Sequence, residues 1–330
     1  MNQIMKAAIP SCLFTLLPEH PVVLADAGAA GGIHERWSMF GQGLRVLGFE
    51  PDQRAFDILP KQDDRVWINA ALADHEEEAD LLVTRHQTNT SLIPPNRSIV
   101  DRIYQNPSDF DVVKEVTVPC TTLDAASWAA KLNVTALKAD TQGTELAILR
   151  GAERCLRETL LAVELEVEFT PLYSGQPLFA DVDVFMRERG FMLFDLGNLL
   201  CHKWRRSSHV GGRKGQLLAA DALYFRTPES LLGLSDSIPD QGVLLAHYWA
   251  VCAAYGYTDL AYETALEQAN VGLMPNHIMV GIKAWADAAS RKTGLPELRG
   301  RGRAASWMRR LANHVDANHH SLWINPLGNE

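Results

Sequence analysis

The residues able to do chemistry concentrate in three short stretches of the chain. Asp26 ends the apolar run Val22-Val23-Leu24-Ala25 and leads into Gly28 and Gly32. Glu50 closes a second apolar run, Arg45 to Phe49, and Lys138-Ala139-Asp140-Thr141-Gln142-Gly143-Thr144-Glu145 supplies two further acids. An apolar run that breaks at an acid and a glycine-rich turn suits a ligand held at the carboxyl edge of a parallel sheet. An acid at the end of the next strand, about 20 residues on, can accept ribose hydroxyls, so adenosine is the expected handle. The spacing Asp-x-Gly-x-x-x-Gly puts a negative charge where a dinucleotide's pyrophosphate would be repelled and an ammonium group attracted. That favours S-adenosylmethionine over NAD, with Gly28 and Gly32 leaving room for its methionine tail. The plain structural alternative is a helix-capping acid in an ordinary strand-to-helix turn.

Methyl transfer from a sulfonium is an in-line displacement, catalysed largely by holding an oxygen or nitrogen nucleophile against the methyl carbon. A hydroxyl nucleophile also benefits from a base. Asp140 is the first candidate for a polar group beside the methyl or the cofactor amine, its alternative role being to cap the following helix. Glu145 could orient the amino end of cofactor or substrate, and would equally favour the helix dipole. Alternation in Ala162-Val163-Glu164-Leu165-Glu166-Val167-Glu168 places three carboxylates on one face of a strand that should be apolar on both. Glu166 and Glu168, nearer the open end, are the candidates for substrate binding or base catalysis; pairing with Lys or Arg is the alternative for that face.

These stretches, in their order, resemble the FkbM family of S-adenosylmethionine-dependent methyltransferases. Its D-x-G-A-N-x-G turn, F-E-P acid and K-x-D-x-x-G-x-E block align with Asp26 to Gly32, Phe49-Glu50-Pro51 and Lys138 to Glu145. Asn69-Ala70-Ala71-Leu72, Thr90-Ser91-Leu92, Val167 to Tyr173, Gly190-Phe191 and Asp221-Ala222-Leu223-Tyr224 extend the likeness over roughly residues 20 to 226. Ala30 stands where the family usually has Asn. The resemblance implies that Asn69, Ala70 and Ser91 join Asp26, Gly28, Gly32, Glu50, Asp140 and Glu145 around the cofactor. It also implies a hydroxyl acceptor on a sugar or secondary metabolite; no metal ligand is assigned, and Glu76 to Glu78 are most simply a solvated turn.

The elements that must position these residues alternate up to about residue 225. Strands are expected near 22–26, 45–49, 66–69, 134–139, 160–166, 191–195 and 221–226, and helices near 33–40, 144–155 and 180–189, with Thr144 capping the second. This pattern gives an α/β fold, a doubly wound Rossmann-like methyltransferase sheet. The stretch from His75 to Pro119 reads as irregular, with Thr88 to Ser91 a loop that the family likeness would fold over the cofactor. From residue 230 the composition turns to alanine-rich helical patterns, so residues 1–229 form the expected methyltransferase domain and 230–330 a helical extension. Its basic cluster, Arg291 to Arg310, is by default a solvated helix face, the alternatives being a contact for an acidic substrate, a carrier protein, a membrane surface or RNA, and His314, His319 and His320 carry no assigned function.

Bulk properties fit an enzyme. The chain has 330 residues, 47% of them hydrophobic, and a net charge of -9, which argues against general nucleic-acid binding. Five scattered cysteines show neither a disulfide framework nor a zinc pattern, and a reducing cytoplasm is the expected location. Lys6 to Leu17 only superficially resembles a signal sequence, since Pro10 interrupts it, and no run is long enough to span a bilayer. Pro119-Cys120 has the composition of a cytosine-methylating nucleophile pair but precedes the Lys138 strand, and Ile93-Pro94-Pro95-Asn96 is not an amino-methylating motif. The competing functions are an NAD-linked oxidoreductase, disfavoured by Asp26, and a non-catalytic cofactor-binding or carrier-docking module.

Overall fold

The structure is a computed structural model that describes residues 16–211, 215–234, 241–270, 279–284, 287 and 321–324. The basic cluster, the three C-terminal histidines and the amino-terminal segment up to residue 15 lie outside the described residues. The chain runs through β1 (Val22–Ala27), β2 (Leu44–Phe49), β3 (Arg65–Ile68), β4 (Ala71–Leu72), β5 (Glu78–Thr84) and β6 (Val112–Thr121). It continues through β7 (Ala136–Ala139), β8 (Ala162–Glu168), β9 (Phe191–His202), β10 (Gln216–Arg226) and β11 (Ser321–Ile324). The main sheet has the order β11-β9-β10-β8-β7-β1-β2-β3. Strands β3, β2, β1, β7 and β8 are mutually parallel, and β10, β9 and β11 add antiparallel. The chain winds outward from β1 in one direction and from β7 in the other, so the crevice between their carboxyl ends is the switch point where ligands of such sheets bind.

Strict alternation along the buried strands builds a core on each face. Val23, Ala25, Leu137, Val163 and Leu165 pack with Leu123, Leu146, Leu149, Leu156 and Met186, which belong to the helices Leu123–Ala130, Glu145–Arg150, Glu153–Glu158 and Phe179–Glu188. Val22, Leu24, Val46, Leu223 and Phe225 face the other way, onto Trp37 and Phe40 and onto Leu244, Tyr248, Trp249 and Leu260. The last four come from the helices Gln241–Ala254 and Thr258–Asn270, so this part of the extension supplies one layer of the sheet's own core. An appendage removable without touching the sheet does not fit this packing.

Other local expectations need correction. The single helix expected over 144–155 is two, parted at Gly151, where a Cβ would lie 2.0 Å from the Ala73 carbonyl oxygen and 3.2 Å from Thr122. Only glycine allows that approach. Thr144 makes no side-chain cap; its hydroxyl donates to Thr141 Oγ1 at 2.8 Å. Residues 35–43 form a 3-10 segment broken at Gly41, where φ is +50°, in place of an α-helix. The stretch from His75 to Pro119 is more regular than its composition suggests: β5 and β6 pair antiparallel with the helix Arg97–Ile103 between them in the chain, and β4 joins β6. The extension also contributes β11, a strand at the edge of β9. Among the described residues no helix is long and apolar enough to cross a membrane, and Cys120, Cys155, Cys201 and Cys252 form no disulfide.

Candidate cofactor and transfer site

Three strand ends meet backbone to backbone. The Gly28 and Ala29 N–H groups both donate to the Phe49 carbonyl at 3.1 Å, and the Asp140 N–H donates to the Ala27 carbonyl at 3.2 Å. Gly28 has φ +78°, and a Cβ there would stand 2.2 Å from the Asp140 carbonyl oxygen. The glycine is therefore what lets the turn after β1 close against the end of β7. Above this junction lies a cavity lined by Ala27, Gly28, Ala30, Phe49, Glu50, Ala70, Leu72, Leu81, Thr88, Ser91, Lys138, Asp140 and Gln142, among others.

Its charges come from one row across the sheet and one turn beyond it. Asp26 is in register with Lys138, and Lys138 with Glu164. The Lys138 ammonium lies 3.8 Å from Asp26 Oδ1 and 3.7 Å from Asp140 Oδ2. Burial alone would depress the lysine, but Asp140, Asp26 and Glu164 outweigh it and hold its pKa above the ordinary range. Burial raises Asp26 to about 6 against the opposing pull of Lys138, and its Oδ1 has no hydrogen-bond partner. Burial likewise raises Glu50 to about 7, although its Oε1 accepts from the Asp52 N–H at 2.9 Å. Asp140 is the opposite case. Its partial burial is overcome by Lys138, by a hydrogen bond with Glu166 and by the Gln142 amide, which together hold it below the usual carboxylate range. Glu166 stands well above that range, pushed by burial and then by the charges of Asp140, Glu168 and Glu145.

The expected residues are distributed unevenly about this cavity. Gly28, Glu50, Ala70, Ser91 and Asp140 line it. Asp26 does not; it lies one residue behind Ala27, and its charge reaches the cavity wall through Lys138. Gly32 faces Pro60 on a separate groove. Asn69 is spent on the backbone, its amide donating to the Glu50 carbonyl at 2.8 Å and so fixing the turn that presents Glu50. Both Glu145 oxygens are occupied as well, by the N–H and hydroxyl of Thr141 at 2.7 and 3.0 Å and by the Gly143 N–H at 3.0 Å. That carboxylate shapes the turn that carries Asp140. Glu168 is buried away from the cavity lining, raised by burial and by Glu145, whereas Glu166 reaches the turn through Gln142. Glu164, the third acid of the strand, accepts from the Tyr255 hydroxyl at 2.6 Å with Arg36 at 3.9 Å.

Three participants, Lys138, Gln142 and Tyr173, escaped the sequence reading, whereas the covering loop with Ser91 lies where the family likeness put it. Lys138 lies two residues before Asp140, a spacing that puts both on one side of an extended chain, and that signal was available. The loop after β5 closes over the cavity because the Ser91 hydroxyl donates to the Gln142 carbonyl at 2.8 Å and Leu82 bridges to Ser91. Gln142 has φ +61°, unusual for a residue other than glycine, and Tyr173 behind it is fully buried. Neither backbone strain nor a contact across 31 residues is readable from residue types.

The chemistry of this donor set fits a cationic adenosine cofactor. An acid at the end of β2, a glycine cradle after β1 and the Asp140 carboxylate at the end of β7 can accept ribose hydroxyls, a close-lying tail and a positive charge. No curated protein matches the chain. Among solved structures it is similar to a methyltransferase FkbM from Methylobacillus flagellatus KT, with 15% identity and a TM-score of 0.33. That match covers 62% of this chain, which spans 43% of the other's length. It is also similar to a magnesium protoporphyrin IX methyltransferase from Synechocystis PCC 6803 solved with bound SAM, at 8% identity and TM-score 0.30, covering 69% of this chain and 85% of that one. A putative RNA methyltransferase from Pyrococcus horikoshii matches at 13% identity and TM-score 0.30, covering 66% and 81%. The profile of the methyltransferase FkbM domain matches residues 26–193, from the first site acid through β9's opening residues, and on that match the chain belongs to the FkbM family of S-adenosylmethionine-dependent methyltransferases.

Proposed function

We propose that the chain transfers a methyl group from S-adenosylmethionine to a hydroxyl of a sugar or small secondary metabolite. The observation that carries the hydroxyl reading is Asp140, whose half-exposed carboxylate stands at the cavity, held ionised beside Lys138. When bound, the cofactor supplies an electrophilic methyl whose sulfur leaves with the electron pair. In this reading Glu50 accepts the ribose hydroxyls, Asp26 and Lys138 set the charge at the tail, and Ala70 and Leu72, which line the cavity, border the base. Asp140 accepts the acceptor's hydroxyl proton as the oxygen meets the methyl carbon, and Glu166 keeps a second proton beside it, limiting the pair's charge. The net charge of -9 supports a small-molecule or carbohydrate acceptor over nucleic acid. A homo-oligomer or carrier contact through the C-terminal helices belongs to the same reading.

The test is single-turnover transfer of labelled methyl to a panel of sugars, nucleotide sugars and phenols. Asp140→Asn should lower turnover on the accepted hydroxyl by about 10²-fold or more, the usual scale of one acid–base group, while the protein stays folded and keeps most of its donor affinity. Undiminished turnover would reduce Asp140 to a turn residue, and transfer confined to amines would overturn the hydroxyl acceptor.

A further inference from the structure

Gln142 occupies one of the unspecified positions of the Lys138 to Glu145 block, yet its side chain bonds residues of three separate elements. Its Nε2 donates to Asp140 Oδ1 at 3.0 Å and to Glu166 Oε2 at 2.5 Å. Its Oε1 accepts from the Tyr173 hydroxyl at 2.9 Å, and its backbone carbonyl accepts from Ser91 at 2.8 Å. The amide orientation follows from these partners. Two acceptors lie on the nitrogen side and a hydroxyl donor on the oxygen side, so reversing the amide would set its carbonyl oxygen against two carboxyl groups. An amide has two N–H protons, and both are spent here on carboxyl oxygens from different elements, one on the turn after β7 and one on β8.

We infer that Gln142 is a positioning residue of the methyl-transfer site, whose amide clamps the Asp140 and Glu166 carboxyls into a pair that shares one proton. Without the clamp, the two carboxyls lose the donors that stabilise their ionised forms and hold their protons to higher pH. With it, the pair carries a single negative charge, and that charge rests on the half-exposed Asp140 at the cavity. Tyr173, itself 3.1 Å from the Asn89 carbonyl, and Ser91 tie the same glutamine to the loop covering the cavity, so loop position and carboxyl pair are coupled through one side chain. The left-handed φ of +61° at Gln142 is a backbone cost that a purely structural turn would avoid with glycine, as the next residue, Gly143, does at φ +103°. Other charged and titratable groups press on the pair: Lys138 from β7, Glu168 from β8, Asp221 opposite Glu166 on β10, Glu145 below the turn, and Tyr104 and Tyr173 from the covering segments. Lys138 is the cation nearest Asp140, and the amide is what brings Glu166 to it.

This inference rests on the placing of Asp140 at the reacting atoms, and the experiment reads the proton without any methyl transfer, so the two fail separately. Infrared difference titration of the full-length protein follows the C=O band of protonated carboxyl groups from acid to alkaline pH. Glu166→Gln should remove one such band at neutral pH. Gln142→Met, which keeps the length and loses both donors, and Gln142→Glu, which keeps the shape and offers acceptors only, should each move the titration of that band upward by about one pH unit, the scale of one lost hydrogen bond to a charged group. The shift should be larger for Gln142→Glu, because it adds a like charge. Circular dichroism confirms folding in each case. A band that titrates in both variants as in the parent, a Glu166→Gln spectrum with no band lost, or failure of both Gln142 variants to fold would overturn the assignment.

Discussion

Acids around the cavity hold protons that water would remove. Burial is the first cause at each, raising Asp26 to about 6 and Glu50, Glu145 and Asp221 to about 7. A carboxyl whose folded-state pKa lies above its unfolded value binds more protons when folded, so stability falls as pH rises from the unfolded value near 4 through the folded one. Asp52 and Asp140 shift the other way, but their contribution is lost only below the ordinary carboxylate range, outside that window. His247, lowered by burial, is a single group of opposite sign. The ligand-free protein is therefore expected to melt higher at pH 5 than at pH 7.5. A cationic donor favours the ionised acids, so its stabilising effect should grow over the same interval, with protons released on binding. Thermal melts with and without S-adenosylmethionine across that range check both trends; a donor effect that weakens with rising pH would contradict the charge assignment.

At the scale of elements, much of the sheet was legible because its strands are buried on both faces and their apolar runs end at acids and glycines. Arg45 to Phe49 and Val22 to Asp26 could be read this way. Helix Phe179–Glu188 lies where the alternation of elements put one, over 180–189, but the break at Gly151 was not legible, since the contact that requires glycine there is with Ala73, remote in sequence. The β5–β6 pair was hidden by its polar exposed face: Lys114, Glu115 and Thr117 alternate or cluster where packing does not demand apolar residues. The roles of Asn69 and Glu145 were likewise unreadable, because a side chain spent on nearby backbone has the same residue type as one aimed at a ligand. Gly28 is where element geometry and site coincide. Gly28→Ala should cost roughly 2–4 kcal/mol, from the positive φ together with the clash against Asp140, and should abolish donor binding even where the protein still folds. Chemical denaturation paired with donor calorimetry measures the two losses, and an alanine variant that binds normally would show that the turn can open without consequence.

For the molecule as a whole, the helices after residue 240 are part of the sheet's packing. Tyr248 and Trp249 are almost wholly buried against Phe225 and Leu24, the Tyr255 hydroxyl binds Glu164, and that of Tyr257 binds Asp195 at 2.5 Å. Composition revealed the change at residue 230 but not the partner of the helices, because an apolar helix face looks the same whether it meets a sheet or another subunit. A chain ending at residue 229 would expose that core and is expected to aggregate or remain unfolded, read by circular dichroism and light scattering. A soluble truncated chain that still bound the donor would restore the extension as a separable module.

The central claim is that the crevice between β1, β2 and β7 binds S-adenosylmethionine through its acids, and calorimetric titration tests it most directly. The full-length protein should bind the donor and not NAD, and Glu50→Ala should weaken donor binding by about 1.5–3 kcal/mol, the value of one charge-assisted hydrogen bond. Asp26→Ala should weaken it too, by less, because Asp26 acts through Lys138. Tight binding of NAD with no binding of S-adenosylmethionine would contradict the account.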